Sequence, residues 1–106
     1  MLDDNDYDMR VRATLAHIEQ AIETRAPDID FETEGEILTL EFPDGSHIVI
    51  NKQRPLKQIW LAARAGGFHY DYNADADHWV RNGGHELLAD LEVFASQQLK
   101  KPVRLR

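Results

Sequence analysis

The 106 residues contain no cysteine. That one absence excludes disulfides, thiolate metal sites and cysteine nucleophiles together, and makes a reducing cytosol the simplest home. No apolar run approaches the roughly eighteen residues that would read as a membrane span. The opening Met-Leu-Asp-Asp-Asn-Asp, Met1 to Asp6, is acidic, unlike a secretory signal or a transit peptide. Serine is nearly absent. Ser46 falls in a turn and Ser96 in a helix, and neither has an obvious His–acid partner. There is no His-Glu-x-x-His and no phosphate-cradling glycine loop. His17, His47, His69, His78 and His85 are scattered without the spacing of a zinc site. These gaps argue against an enzyme. What is present, 42% hydrophobic and 29% charged residues, suits one soluble domain with a real core, spanning residues 1–106.

The net charge of −7 is not spread evenly. Residues 1–34 carry ten acids against Arg10, Arg12 and Arg25, while the rest of the chain carries nine of each sign. A concentrated negative field argues against nucleic-acid binding, which wants the opposite sign. Its centre is residues 28–36, Asp-Ile-Asp-Phe-Glu-Thr-Glu-Gly-Glu. As a strand, Ile29, Phe31 and Thr33 point one way and Asp30, Glu32 and Glu34 the other, with Asp28 extending the row. Side chains two apart on one face sit roughly 6–7 Å from each other. Unanswered like charges so placed repel, so the row needs a purpose: a hard cation, a basic partner, or the discouragement of pairing at a sheet edge.

Residues 4–25 read as a helix, with Tyr7, Val11, Leu15, Ile18 and Ile22 on one stripe and Pro27 beyond its end. Asp3, Asp4 and Asp6 suit its cap and first turn. At about 100° per residue, Asp4, Asp8, Glu19 and Glu23 share one sector beside the apolar stripe, with Arg12 among them. They therefore line the rim where helix meets sheet, unless they are simply a solvated face. Alternation then gives a hairpin around Pro43-Asp44-Gly45-Ser46, flanked by Leu38, Leu40 and Phe42 on one side and Ile48 and Ile50 on the other. Residues 51–57 read as a polar loop and 58–64 as a strand. Gly66-Gly67 reads as a turn, 68–72 and 78–80 as strands, and 85–99 as a second helix closed by Pro102. The expected fold is an α+β two-layer sandwich. Both terminal helices would lie on one face of a mainly antiparallel sheet of five or six strands.

Trp60 points outward in this register, and indole is a large apolar surface to leave in water. With Asn51, Gln53 and His69 nearby it makes a candidate docking patch; the alternative is a ring covered by the stem of Arg54 or Lys57. Trp79 reads as a core residue beneath a helix.

A resemblance is carried by Asn51-Lys52-Gln53-x-Pro55-x-Lys57-Gln58-Ile59-Trp60-Leu61, followed by Gly67-Phe68-His69-Tyr70-Asp71 and Trp79-Val80. Leu38-Thr39-Leu40-x-Phe42-x-Asp44-Gly45 and His85-Glu86-Leu87-Leu88 add to it. Together they resemble the frataxin family over essentially the whole chain, in its compact bacterial form. The resemblance implies weak, labile iron (Fe2+/Fe3+) binding through an acidic ridge on the first helix and first strand. It also implies a role in iron–sulfur cluster assembly by docking on the cysteine desulfurase and its scaffold protein, as regulator and as iron donor or sensor. Carried across by position, the ridge is Asp4, Asp8, Glu19, Glu23, Asp28, Asp30 and Glu32, with Glu34 continuing the strand row. The docking residues are Glu19, Glu23, Asp30, Glu32, Asn51, Gln53, Trp60 and His69. Gln20 stands where relatives often carry a second adjacent acid, and Lys57 where some bacterial members carry histidine. These departures place the strand carboxylates and the Glu19/Glu23 pair first among the candidates. No membrane or nucleic acid is expected as partner. The expected state is a monomer, with iron-driven oligomers and weak ferroxidase activity within what the family implies. Two other readings stay open: an acidic interaction module that mimics phosphate or acts as an adaptor without metal, and an iron(II)-oxidising storage protein. The second would want a buried Glu-x-x-His cluster in a helix bundle, which is absent.

Overall fold

The computed structural model describes residues 2–106. The chain runs α1 (Asp4–Arg25), β1 (Asp30–Glu34), β2 (Ile37–Glu41), β3 (His47–Gln53), β4 (Gln58–Ala63), β5 (Gly66–Asn73), β6 (His78–Arg81), β7 (His85–Glu86) and α2 (Leu87–Leu99). The strands form one sheet in sequence order, each antiparallel to the next. Both helices cover the same face, as the alternation requires. Tyr7, Val11, Leu15, Ile18 and Ile22 of α1 are buried, together with Leu38, Leu40, Ile48, Ile50, Ile59, Leu61, Tyr70 and Trp79 of the sheet and Leu87, Leu91 and Phe94 of α2. Each fully buried aliphatic side chain contributes about 1.5–3 kcal/mol. Like-charge pairs on a sheet surface cost only about 0.2–1 kcal/mol each. The core can therefore carry an acidic edge without help from it.

Local chemistry sets the boundaries. Asp3 caps α1 by accepting from the Asp6 amide at 2.8 Å. Gly45, at φ 85°, lets Phe42 close the β2–β3 turn by accepting from the Gly45 amide. Three expectations are corrected. Residues 51–53 are strand and not loop, because Asn51, Lys52 and Gln53 pair with Trp60, Ile59 and Gln58; the proline confines the irregular stretch to a 3-10 turn at Arg54–Leu56. Gly66 and Gly67 lie inside β5, paired with Ala63 and Ala62, so Arg64 and Ala65 make the turn. His85 and Glu86 belong to a seventh strand. The helix starts after them because the Glu86 carboxylate accepts from the Leu88 and Ala89 amides at 2.8 and 3.2 Å.

The last residues are held rather than loose. Val103 and Leu105 are buried, and His17 Nε2 lies 3.0 Å from the Leu105 carbonyl. The buried Glu92 carboxylate accepts from the Leu105 and Arg106 amides and from the Arg106 guanidinium. Burial pushes the Glu92 carboxyl up, but these donors together outweigh it and hold it below its ordinary value. Tyr70 donates to Asp90 at 2.7 Å while Arg81 binds the same carboxylate at 2.6 Å, which closes the other polar cluster of the core. Among the described residues no buried side-chain polar atom lacks a partner.

Candidate metal and docking surface

Strand β1 is the edge of the sheet, and its alternation is as expected: Phe31 packs on the core while Asp30, Glu32 and Glu34 are exposed on the opposite face. The register sets them beside Glu41, Thr39 and Ile37 of β2. Asp30 and Glu41 thus stand directly across from each other, and His47 Nε2 sits 3.2 Å from Glu41. Glu41 is a further acid at this corner, visible in the sequence as the outward partner of Leu40 and Phe42.

Among the described residues one hydrogen bond joins a helix acid to the strand. Glu19 accepts a hydrogen bond from the Thr33 hydroxyl, and Thr33 points away from its neighbours Glu32 and Glu34. The expected ridge is therefore not one plane. Glu19 and Glu23 lie on the helix side of the edge and the strand row on the other, so the acids wrap around β1. Among the described residues no Lys or Arg lies within salt-bridge distance of Glu19, Glu23, Asp30, Glu32 or Glu34.

The other end of the helix is different. Asp8 is met by Lys52 Nζ at 2.7 Å and by the Arg54 guanidinium at 2.8 and 3.0 Å. Asp4 lies 3.6 Å from Lys57 and 3.9 Å from Arg54. The Lys52 and Arg54 hydrogen bonds hold the Asp8 carboxyl below its ordinary value. Asp28 is paired with Lys101. Of the eight candidate metal ligands, then, Asp4, Asp8 and Asp28 are answered by the chain's own cations and five are not. Among the described residues no three carboxylate or imidazole groups converge to form a ready metal cage. What the open end offers a hard cation is separate carboxylate oxygens, a donor set that binds loosely and leaves most of the coordination shell to water.

The docking candidates are brought together. Asn51, Trp60 and His69 are successive cross-strand neighbours on the open face, with Gln53 paired to Gln58 in the adjacent row. The charged ends of Arg54 and Lys57 go elsewhere, to Asp8 and to the Leu2 carbonyl beside Asp4; Trp60 itself is half-buried. It stacks on His69, ring centroids 4.1 Å apart and 9° between planes, and its Nε1 donates to Gln58 at 2.7 Å. The register also joins the two candidate surfaces: Glu34, Ile37, Asn51, Trp60 and His69 form one unbroken row across five strands. Ile37, 44% exposed, is its second member and an apolar step between the acids and Asn51.

Comparison with known proteins agrees with this architecture. A family model for the frataxin-like domain matches residues 1–101. The iron–sulfur cluster assembly protein CyaY of Paraburkholderia phymatum is 38% identical over 104 residues, 98% of either chain. That of Paraburkholderia xenovorans is 41% identical over 102 residues, 96% of either chain. Among solved structures, a frataxin from Psychromonas ingrahamii superposes with a TM-score of 0.90 at 34% identity, covering 99% of both chains. A trimeric frataxin from the yeast Saccharomyces cerevisiae, described as complexed with ferrous, gives 0.68 at 30% identity, covering 95% of this chain and 89% of that one. With the helix–sheet–helix order, the acidic edge and the outward tryptophan all in place, this chain belongs to the frataxin-like family.

Proposed function

We propose that the protein is a non-enzymatic, iron-binding regulator in iron–sulfur cluster assembly, working in the bacterial cytoplasm. The observation that carries this reading is the unanswered acidic wrap around β1, continuous through Glu34 and Ile37 with the Trp60–His69 stack. Its relatives are named for cluster assembly, and a yeast neighbour is described as a ferrous complex. Five carboxylates free of internal cations suit a labile metal that must be handed on or sensed, because nothing chelates it tightly. They also suit a basic patch on a partner, whose approach they would accelerate in a salt-dependent way. The aromatic stack gives the same surface an anchor of the kind that concentrates binding energy. In this reading the cysteine desulfurase meets the acids, the scaffold protein meets the Trp60 face, and iron at the edge alters the first contact. A non-enzymatic role is supported by the serines: Ser46 donates to Asp44 in its turn, and Ser96 accepts from the Val103 amide.

The test is binding of the variant Asp30→Asn/Glu32→Gln/Glu34→Gln to the cysteine desulfurase. Affinity should fall on the order of tenfold or more, with the on-rate carrying much of the loss. A variant that binds as tightly as the parent would contradict the reading.

A further inference from the structure

The Lys52 side chain is unusual for its place. It continues the Ile48–Ile50 alternation, so it points to the helix-covered face, where its side chain is only 9% exposed. Its ammonium sits 2.7 Å from Asp8 of α1 and 2.8 Å from Glu36 in the β1–β2 turn, and 5.6 Å from the centroid of the Tyr7 ring. Two carboxylates from separate elements and an aromatic face thus converge on one positive charge, the surroundings of a bound cation. Calcium–oxygen distances run about 2.3–2.6 Å, so a divalent ion would draw the same oxygens in by only a few tenths of an ångström. Arg54 covers the outer side of Asp8, and Lys57 and Arg54 flank Asp4.

We propose that Lys52 is a tethered resident cation: it fills the position a divalent ion would take between Asp8 and Glu36, and with Arg54 withholds this end of the acidic surface from metal. The proposal deepens the metal reading above, on which its biological meaning rests. Metal is directed by exclusion to Glu19, Glu23 and the β1 row, next to the Ile37–Trp60 docking row. There its charge can be felt by a partner. At the Asp4–Asp8 end it could only compete with the fold's own ion pairs.

The experiment is a calcium titration followed through the 13C carboxylate resonances of the aspartates and glutamates. Calcium is a redox-silent probe of hard oxygen ligands. In the parent protein the Glu19, Glu23, Asp30, Glu32 and Glu34 signals should move while Asp8 and Glu36 stay still. In Lys52→Met/Arg54→Gln, Asp8 and Glu36 should begin to move together on one binding curve, at least tenfold tighter than any response they show in the parent. Adding Asp8→Asn should abolish it. Lys52→Met alone, which keeps Arg54 over Asp8, should give a smaller gain and a second folded background. Asp8 moving in the parent at the same concentrations as Glu32 would overturn the proposal, whatever the variants do. So would a folded double variant in which Asp8 and Glu36 do not respond. If no parent signal moves, the metal half of the proposed function fails, and the variant arm still decides whether Lys52 occupies a cation position.

Discussion

The two ends of helix α1 carry similar acids and treat them in opposite ways. Asp4 and Asp8 face Lys52, Arg54 and Lys57, brought over by β3 and the turn after it. Glu19, about three turns further along the helix, accepts from the Thr33 hydroxyl of the acidic edge strand, and among the described residues no Lys or Arg pairs with it or with Glu23. The first group ties helix to sheet. The second does nothing for the fold that an uncharged side chain could not do, and its repulsion is a standing cost. Charge that serves stability is paired; charge left unpaired in bulk, on one edge, points outward to something else.

Perturbations should separate the two kinds. The largest loss of stability should come from a carboxylate fully enlisted by the core. Asp90→Ala orphans the Tyr70 hydroxyl and the Arg81 guanidinium and should cost about 2–3 kcal/mol in chemical denaturation. It should leave the carboxylate shifts of the acidic edge under calcium untouched. Next, stability should fall at both extremes of pH. Asp8 and Glu92 are held below their ordinary values when folded, so their contribution is complete above those values and is lost as pH drops through the folded ones, below about pH 4. Tyr7, Tyr70 and Lys52 are raised, so theirs is complete below about pH 10 and is lost as pH climbs beyond it. Burial is the chief cause for both tyrosines. For Lys52 burial acts the other way and is outweighed by Asp8 and Glu36. A denaturation midpoint that is flat from pH 5 to 9 and falls on either side is the expected profile.

Asp30→Asn/Glu32→Gln/Glu34→Gln should show the reverse pattern to Asp90→Ala. Its stability should be unchanged or raised by up to about 1 kcal/mol as repulsion is relieved, while partner affinity falls. Smallest of all, Lys101→Ala removes a half-exposed partner of Asp28 and should cost less than about 0.5 kcal/mol. If it destabilised more, the division between paired and idle acids would lose its sharpness.

Much of this was readable in advance because it rests on periodicity. The Tyr7–Ile22 stripe and the Leu38/Leu40 and Ile48/Ile50 alternations foretold α1, the hairpin and which face is covered. The same alternation placed Asp30, Glu32 and Glu34 outward, and Trp60 and His69 on the open face. What escaped depends on groups far apart in sequence. A polar run ending in proline reads as loop, yet residues 51–53 are strand because β4 supplies their hydrogen-bond partners. His85 and Glu86 look like the start of an apolar helix, but the Glu86 side chain caps it instead. The pairing of Asp8 with Lys52, 44 positions away, follows from the sheet's register against the helix, which no local pattern contains. One sign was present: extending Ile48–Ile50 by two places puts a lysine on the buried face, and a buried lysine needs an anion.

The central claim is that metal and partner use the idle acids and not the enlisted ones. It is tested most directly by titrating iron(II) anaerobically into the 15N-labelled protein and then adding the cysteine desulfurase. The account predicts that amide broadening is strongest from Glu19 to Glu23 and from Asp30 to Glu34, weak around Asp4 and Asp8, and changed by the desulfurase at those same residues. Broadening centred on Asp4 and Asp8, with the β1 signals sharp, would contradict it.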